Sequence, residues 1–261
     1  MKALVFAAGL GTRLKPFTES HPKALVDIGG KPMLRRVIDR LTETGVENII
    51  VNVHHHAAQI VDYLENERDN IPAEIYISDE SDRLLDTGGG ILHARAFLDN
   101  NDNEPFIVHN ADILSTVNLS EMMERHHRSG ADVTLLSADR PTSRKLLFDT
   151  EGRMHGWTNV NTEEVKYGPS YNRLHTPECN LIPLAFGGIH IMSPKIFPLL
   201  EDYAKEDNKF PIVPFYIRNT LTLNIRAYCP PADSYTWYDI GKPETLEKAR
   251  SWLAGHNIHF L

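Results

Sequence analysis

Short apolar runs and helical repeats alternate along the first 110 residues, and this alternation narrows the fold more than any other feature of the chain. Lys2–Phe6 is an apolar run closed by a glycine-rich turn, the pattern of a buried strand. Residues 31–44 read as a helix, with Pro32 suited to the first turn and Met33, Val37, Ile38 and Leu41 at helical spacing. Asn48–Val53 is the next strand, residues 57–67 the next helix, and residues 74–77 a short strand. A helix over 90–98 after three glycines and a strand over 105–109 complete the series. Such alternation implies parallel strands with right-handed crossovers, hence an α/β fold of three layers around a mostly parallel sheet. Sheets of this kind take ligands at the carboxyl ends of their strands. Residues 7–15 and 110–112 stand at two such ends.

Beyond a helix over 119–128 the pattern changes, with strands expected over 132–137, 145–149, 184–192 and 221–228. Helices are expected over 193–206, 210–218 and 243–253, and residues 151–180 read as a long polar loop. No linker or repeat interrupts the chain, so residues 1–261 are expected to form one domain with two lobes, about 1–112 and 113–261. With 41% hydrophobic residues over this length, a full core needs no covalent staples.

Composition excludes several classes. A net charge of −8 disfavours a general nucleic-acid binder, although local cations would still suit a small anionic ligand. No run approaches the ~18 apolar residues of a membrane span. The opening MKALVFAAGLGTRLK does not read as a signal peptide, so the expected location is cytoplasmic, with no membrane partner. Cys179 and Cys229 form no C-x-x-C pair and read as buried reduced thiols. His54-His55-His56 cannot converge easily on a metal from an extended chain and read as a polar loop, His54 nearest a ligand. His126 and His127 read as solvated.

Three segments carry chemistry. The turn Ala7-Ala8-Gly9-Leu10-Gly11-Thr12-Arg13 follows a strand, and its glycines let backbone N–H groups approach a phosphate chain. Arg13, Lys15 and Lys23 supply neutralising charge. Leu14 stands where a dinucleotide fingerprint needs glycine, and the P-loop pattern is absent. The second segment is Asn110-Ala111-Asp112, ending a strand, and the third Trp237-Tyr238-Asp239-Ile240-Gly241. Two carboxylates at element ends can share one hard cation, and Mg²⁺ favours one or two carboxylates plus phosphate oxygens.

Ala-Ala-Gly-x-Gly-Thr-Arg-Leu, the following Pro22-Lys23, Asn110-Ala111-Asp112 and Trp237–Gly241 together resemble the sugar-1-phosphate nucleotidyltransferases, the NDP-sugar pyrophosphorylases. Leu85-Asp86-Thr87-Gly88-Gly89-Gly90 is similar to that family's L-x-T-(A/G)-G segment, and Phe186-Gly187-Gly188-Ile189 to its F-x-G-I strand. The wording and length look most like N-acetylmuramate-1-phosphate uridylyltransferases, with mannose- and heptose-1-phosphate guanylyltransferases close behind. The resemblance implies a Rossmann-like nucleotidyltransferase (GT-A-like) fold with a nucleotide lobe and a sugar-phosphate lobe. It implies transfer of a nucleoside monophosphate from an NTP to a sugar 1-phosphate, with Mg²⁺ on Asp112 and Asp239. Arg13, Lys23 and Asp112 would be catalytic. Ala7, Ala8, Gly9, Gly11, Thr12, Glu80, Thr87, Gly88 and Asn110 would surround the nucleotide.

One departure stands out: the family's F-x-E-K-P clamp for the sugar phosphate is missing from residues 156–169, where Glu164-Val165-Lys166 is the nearest equivalent. Asn159, Asn161 and Gly187, with Asp239, are the expected acceptor contacts. Glu80 could accept two N–H groups from guanine, whereas amides near Thr87 and Gly88 would suit uracil. The longer motif match inclines the reading to UTP. A non-catalytic nucleotide-sugar-binding regulatory subunit is the alternative, disfavoured because Arg13, Lys23, Asp112 and Asp239 are all present. Homo-oligomer formation is left open.

Overall fold

The computed structural model describes residues 1–99, 103–173 and 180–256. Strand β1 (Lys2–Phe6) leads through a loop to α1 (Met33–Glu43), β2 (Asn48–Val53), α2 (Ala57–Asn66) and β3 (Glu74–Asp79). Helices α3 (Asp86–His93) and α4 (Arg95–Leu98) precede β4 (Phe106–Asn110), β5 (Ile113–Ser115), α5 (Leu119–Ser129) and β6 (Val133–Ala138). Then come β7 (Arg144–Phe148), β8 (Met154–Asn159), β9 (Glu164–Tyr167) and the long β10 (Ile182–Met192). The chain closes with α6 (Phe197–Tyr203), α7 (Ile212–Arg218), β11 (Ile225–Tyr228), β12 (Trp237–Asp239) and α8 (Pro243–Gly255).

The strands β3, β2, β1 and β4 pair in parallel in that order. Strand β10 runs antiparallel to both β4 and β6, and β11 lies parallel to β6. In this central sheet β10 therefore runs against all the others, as a mostly parallel α/β sheet allows. Alternate side chains of β1 point to opposite faces, so Ala3 and Val5 join one apolar cluster and Leu4 the other. The first cluster is covered by α1, α2, α5 and α8 through Leu34, Ile60, Met122 and Ala249. The second is covered by α3, α6 and α7 through Ile91, Phe197 and Phe215. Helix, sheet and helix make the three layers that the alternation predicts.

Several expectations shift. The glycines Gly88, Gly89 and Gly90 lie inside α3 rather than before a helix at 90, where Gly88 and Gly89 pack against Phe210 and Asn208 and Gly90 against Glu80, Phe6 and Asn52 too closely for side chains. Gly88 and Gly89 both donate their N–H groups to the Phe210 carbonyl, at 2.9 and 3.2 Å. A Cβ on Gly89 would overlap the Asn208 carbonyl oxygen. Gly89→Ala should therefore lower unfolding free energy by about 1–3 kcal/mol, as overpacking does, read from the urea midpoint. An unchanged midpoint would show that this contact relaxes freely.

The expected loop over 151–180 holds instead an antiparallel hairpin of β8 and β9, attached to β10 through β7. Its β9 strand is exposed throughout, and its alternation of Val165 and Tyr167 with charged residues lasts only four positions, too short to stand out in a polar segment. The rest of that segment falls partly outside the described residues. The strand expected from 221 begins at Ile225, because a turn closed by Leu223 N–H on the Asn219 carbonyl occupies its start. Cys229 is exposed, contrary to the buried thiol expected, and Cys179 lies outside the described residues.

His126 is also not solvated. It is buried between Thr134 Oγ1 (2.9 Å) and Ser193 Oγ (3.1 Å), and burial pushes its imidazole down to about 4. Buried His109 falls to about 4 and His190 to about 3 for the same reason. The unfolded chain takes up these protons first, near the ordinary histidine value, so stability is full above about pH 6.5. It should decline as pH falls from there towards about 4. A urea midpoint constant between pH 7 and 5 would contradict this.

Candidate active site

The turn after β1 is built by side chains from neighbouring strand ends. Ala7 and Ala8 donate their backbone N–H groups to Asn52 Oδ1 at 2.7 and 3.2 Å. Asn52 Nδ2 in turn donates to Glu80 Oε1 at 2.9 Å, and Leu85 N–H donates to Glu80 Oε2 at 3.0 Å. Asn52 and Glu80 are both buried. This chain of bonds ties β1, β2, β3 and the entrance to α3 into one rim. Next, Gly11 adopts φ 63°, and a Cβ there would sit 2.7 Å from Thr18 Cγ2, so glycine is required. Thr18 closes the turn by donating its hydroxyl to the Gly11 carbonyl at 2.9 Å.

Two carboxylates meet across a short ribbon. Strand β12 pairs antiparallel with β5, setting Asp239 opposite Ile113 and hence beside Asp112. The Ile240 N–H donates to the Asp112 carbonyl at 3.0 Å and fixes the approach. The largely buried Lys23 ammonium forms an ion pair with Asp112 and lies 4.0 Å from Asp239 Oδ1. Arg13, mostly exposed, reaches within 3.8 Å of Asp239 Oδ2. Gly241 donates its N–H to Asp239 Oδ1 at 2.8 Å, and a Cβ at 241 would press on Arg13, Asp239 and Lys23. Beneath, neutral His109 donates Nδ1–H to the Asn110 carbonyl at 2.9 Å.

Two clefts open around this cluster. The first, of about 440 Å³, is lined by Ala7–Arg13, Lys23, Asn52, Glu80, Thr87, Asn110 and Asp112 among others. The second, of about 740 Å³, is lined by Arg140–Arg144, Trp157, Phe186, Gly188, Trp237, Asp239 and Lys242. Arg13, Asn110 and Asp112 line both, so the charged cluster stands at their junction. A triphosphate-sized anion in one cleft and a smaller anion in the other would meet there.

Most of the expected site residues converge, and some do not. Gly88 has its N–H committed to Phe210, and Thr87 N–H is held by Asp86 Oδ1 at 2.6 Å, so neither amide is spare for a base. Both oxygens of Glu80 already accept from protein donors, which weakens its expected reading of guanine. Gly187 packs against Leu136 and gives its carbonyl to Trp237 Nε1 at 2.9 Å; Gly188 is the glycine that lines the second cleft. Asn159 and Asn161 form the β8–β9 turn, where Asn159 Oδ1 accepts from Asn161 N–H at 3.1 Å, outside the cleft lining. His54 is not in the first cleft; its Nδ1 bonds the Glu80 carbonyl at 2.7 Å. Asn52 and Arg140 are site residues that the sequence reading missed.

Among the described residues no three His, Cys, Asp or Glu side chains gather as a metal cage. Asp112 and Asp239 nevertheless fit Mg²⁺, since two adjacent hard oxygen donors already share a cation, the Lys23 ammonium.

Residues 2–148 match the family described as nucleotidyl transferase. The chain belongs to this family. An N-acetylmuramate alpha-1-phosphate uridylyltransferase of Caulobacter vibrioides is 31% identical over 97% of the chain and 96% of its own length. A probable mannose-1-phosphate guanylyltransferase 3 of Oryza sativa subsp. japonica is 27% identical over 99% of the chain, which spans 64% of that relative. A crystal structure of a putative glucose-1-phosphate thymidylyltransferase from Bacillus anthracis matches with a TM-score of 0.79 at 17% identity, over 99% of this chain and 97% of that one. That likeness shows the Rossmann-like, GT-A-like fold of these transferases. As a member of the sugar-1-phosphate nucleotidyltransferases, the chain is an enzyme that transfers nucleotidyl groups. Among its described residues no helix is long and apolar enough to cross a membrane.

Proposed function

We propose that the enzyme couples UTP, in preference to GTP, to a sugar 1-phosphate and releases pyrophosphate. The meeting of Asp112, Asp239, Lys23 and Arg13 at the junction of two clefts carries this reading. The triphosphate lies along the Gly9–Thr12 turn, with Arg13 against the departing pyrophosphate. Lys23 leaves Asp112 to neutralise charge growing on the α-phosphate. An oxygen of the acceptor phosphate attacks the α-phosphorus in line as the bond to pyrophosphate breaks. No general base is needed, because that oxygen is already anionic. Mg²⁺ held by Asp112 and Asp239 supplies further charge neutralisation on the phosphates.

The two ends of the reaction are supported unequally. UTP is favoured by the long match around Leu85–Ile91 and by the uridylyltransferase relative that covers nearly the whole chain. Glu80 positions the turn through Asn52 instead of reading a base. Glu80→Gln places an amide NH₂ against Asn52 Nδ2 or Leu85 N–H, so it should lower kcat/KM for UTP and GTP together. About tenfold or more is expected, with the ratio moving less than about threefold. A selective loss of GTP turnover would make Glu80 a base reader. Pyrophosphate release, measured across four nucleoside triphosphates and a panel of sugar 1-phosphates including N-acetylmuramate 1-phosphate, tests the whole reading. Turnover with no pair, or a clear preference for GTP, would contradict it.

A further inference from the structure

The second cleft holds an arginine placed for a task that the segment resembling the usual clamp cannot perform. Glu164 and Lys166 lie on the exposed β9 strand, paired with each other at 3.1 Å, and neither lines the cleft. Arg140 does line it, at the start of the loop joining β6 to β7. Its guanidinium lies 3.5 Å from the centroid of the Trp237 ring, and Nη2 donates to the Phe186 carbonyl at 2.8 Å. Trp237 is itself fixed by Nε1–H on the Gly187 carbonyl. Both anchoring carbonyls come from the irregular stretch of β10 between Phe186 and His190, where the ladder with β6 shifts register. A ring stack and a backbone bond thus hold the guanidinium in one orientation before any ligand arrives.

Its position decides what it faces. Trp237 and Asp239 are two residues apart on β12, so their side chains leave the same face of the strand. A guanidinium stacked on Trp237 therefore stands beside Asp239, at the edge of the reacting cluster. Among the described residues Arg140 forms no ion pair, and one bond to Phe186 leaves most of its five N–H donors unspent. A half-buried, oriented guanidinium that neighbours Asp239 without bonding to it still has donors to offer, and its fork matches phosphate oxygens.

We propose that Arg140 is the clamp for the 1-phosphate of the acceptor sugar, holding it at the edge of the reacting cluster for attack on the α-phosphorus. This rests on the reaction proposed above. Arg144, Ser143 and Lys242 line the same cleft and would face the rest of the sugar.

The test is steady-state kinetics of Arg140→Gln and Arg140→Lys with UTP and two acceptors, glucose 1-phosphate and N-acetylmuramate 1-phosphate. The second carries a carboxylate that the first lacks. For Arg140→Gln the acceptor KM should rise about 10- to 100-fold, the worth of a charged hydrogen bond, while the UTP KM stays within about twofold. Arg140→Lys keeps the charge without the fork and should recover part of the loss. The rise should be equal for whichever of the two acceptors turn over, because both carry the phosphate. A loss confined to the carboxylate-bearing sugar, equal rises in both substrates' KM, or no change would each overturn the clamp. Should Arg140→Gln fail to fold, Arg140→Lys, which keeps a cation near the Trp237 ring, gives the same discrimination through a smaller rise in the acceptor KM. Turnover by the unaltered enzyme with no sugar 1-phosphate would overturn the reaction and the clamp together; turnover with an unmoved acceptor KM overturns the clamp alone.

Discussion

Asp112→Asn should lower kcat by a factor on the order of 10²–10⁴ while the protein stays folded. The side chain is about a quarter exposed, and asparagine has the same shape. The bond that fixes the β5–β12 ribbon at this point uses the Asp112 backbone carbonyl, which the substitution leaves in place. What disappears is one of two negative charges at the junction of the clefts. Lys23 would then settle on Asp239, its remaining anionic neighbour, already 4.0 Å away. The lysine would be withdrawn from the α-phosphate and the divalent cation would lose half its protein ligands. Activity of the unaltered enzyme should vanish in EDTA and return with Mg²⁺. Full turnover by both Asp112→Asn and Asp239→Asn in excess EDTA would remove the carboxylate pair from the mechanism.

How much of this was legible beforehand depended on where the information lay. The strands of the first half are apolar runs ended by glycine or polar turns, and Asn48–Val53 was read to the residue. Burial on both faces makes such strands continuous in hydrophobicity and easy to recognise. The hairpin of β8 and β9 is hard to see in the sequence because its edge strand, Glu-Val-Lys-Tyr, is only four residues long and its apolar pair, Val165 and Tyr167, sits within a polar segment and stays exposed. The glycines of α3 mislead for a related reason: Gly88 and Gly89 permit close approach to residues 208–210, more than a hundred positions away, and Gly90 to Glu80, Phe6 and Asn52.

The site divides in the same manner. The charged residues of the first cleft were found because strand ends and glycine turns announce themselves locally. Asn52 was missed because one asparagine ending a strand has many uses, and only the fold shows it receiving Ala7 and Ala8 on one side and reaching Glu80 on the other. Arg140 is missed because its anchors, the Phe186 carbonyl and the Trp237 ring, lie on strands remote from it in sequence. Gly187 is one residue from Gly188, whose φ of 74° turns the chain along the second cleft. Sequence order conveys the first cleft well because the strands bordering it follow one another, whereas the second cleft is assembled from β7, β8, β10 and β12.

Lys23→Ala should cost about 2–4 kcal/mol of transition-state stabilisation, a fall in kcat of roughly 30- to 1000-fold. Burial sets the size of this effect: the side chain is 11% exposed and its ammonium lies between two carboxylates. Arg13, by contrast, is 55% exposed and stands 3.8 Å from one of them. A buried cation acts at lower effective dielectric and gains more from charge developing beside it. Arg13→Ala should accordingly lose less kcat and more triphosphate affinity, since it faces the leaving group across solvent. The same geometry makes a prediction of opposite sign in the nucleotide-free protein. Without the ammonium, Asp112 loses its ion-pair partner and Asp239 keeps only the mostly exposed Arg13 at 3.8 Å and the neighbouring Arg140, so Mn²⁺ used as a spectroscopic probe should bind Lys23→Ala more tightly than the unaltered enzyme. Weaker kcat combined with stronger cation binding would identify Lys23 as the group that holds the carboxylates until substrate arrives. Unchanged kcat, or Mn²⁺ affinity that falls along with it, would mean that the lysine serves only to position Asp112.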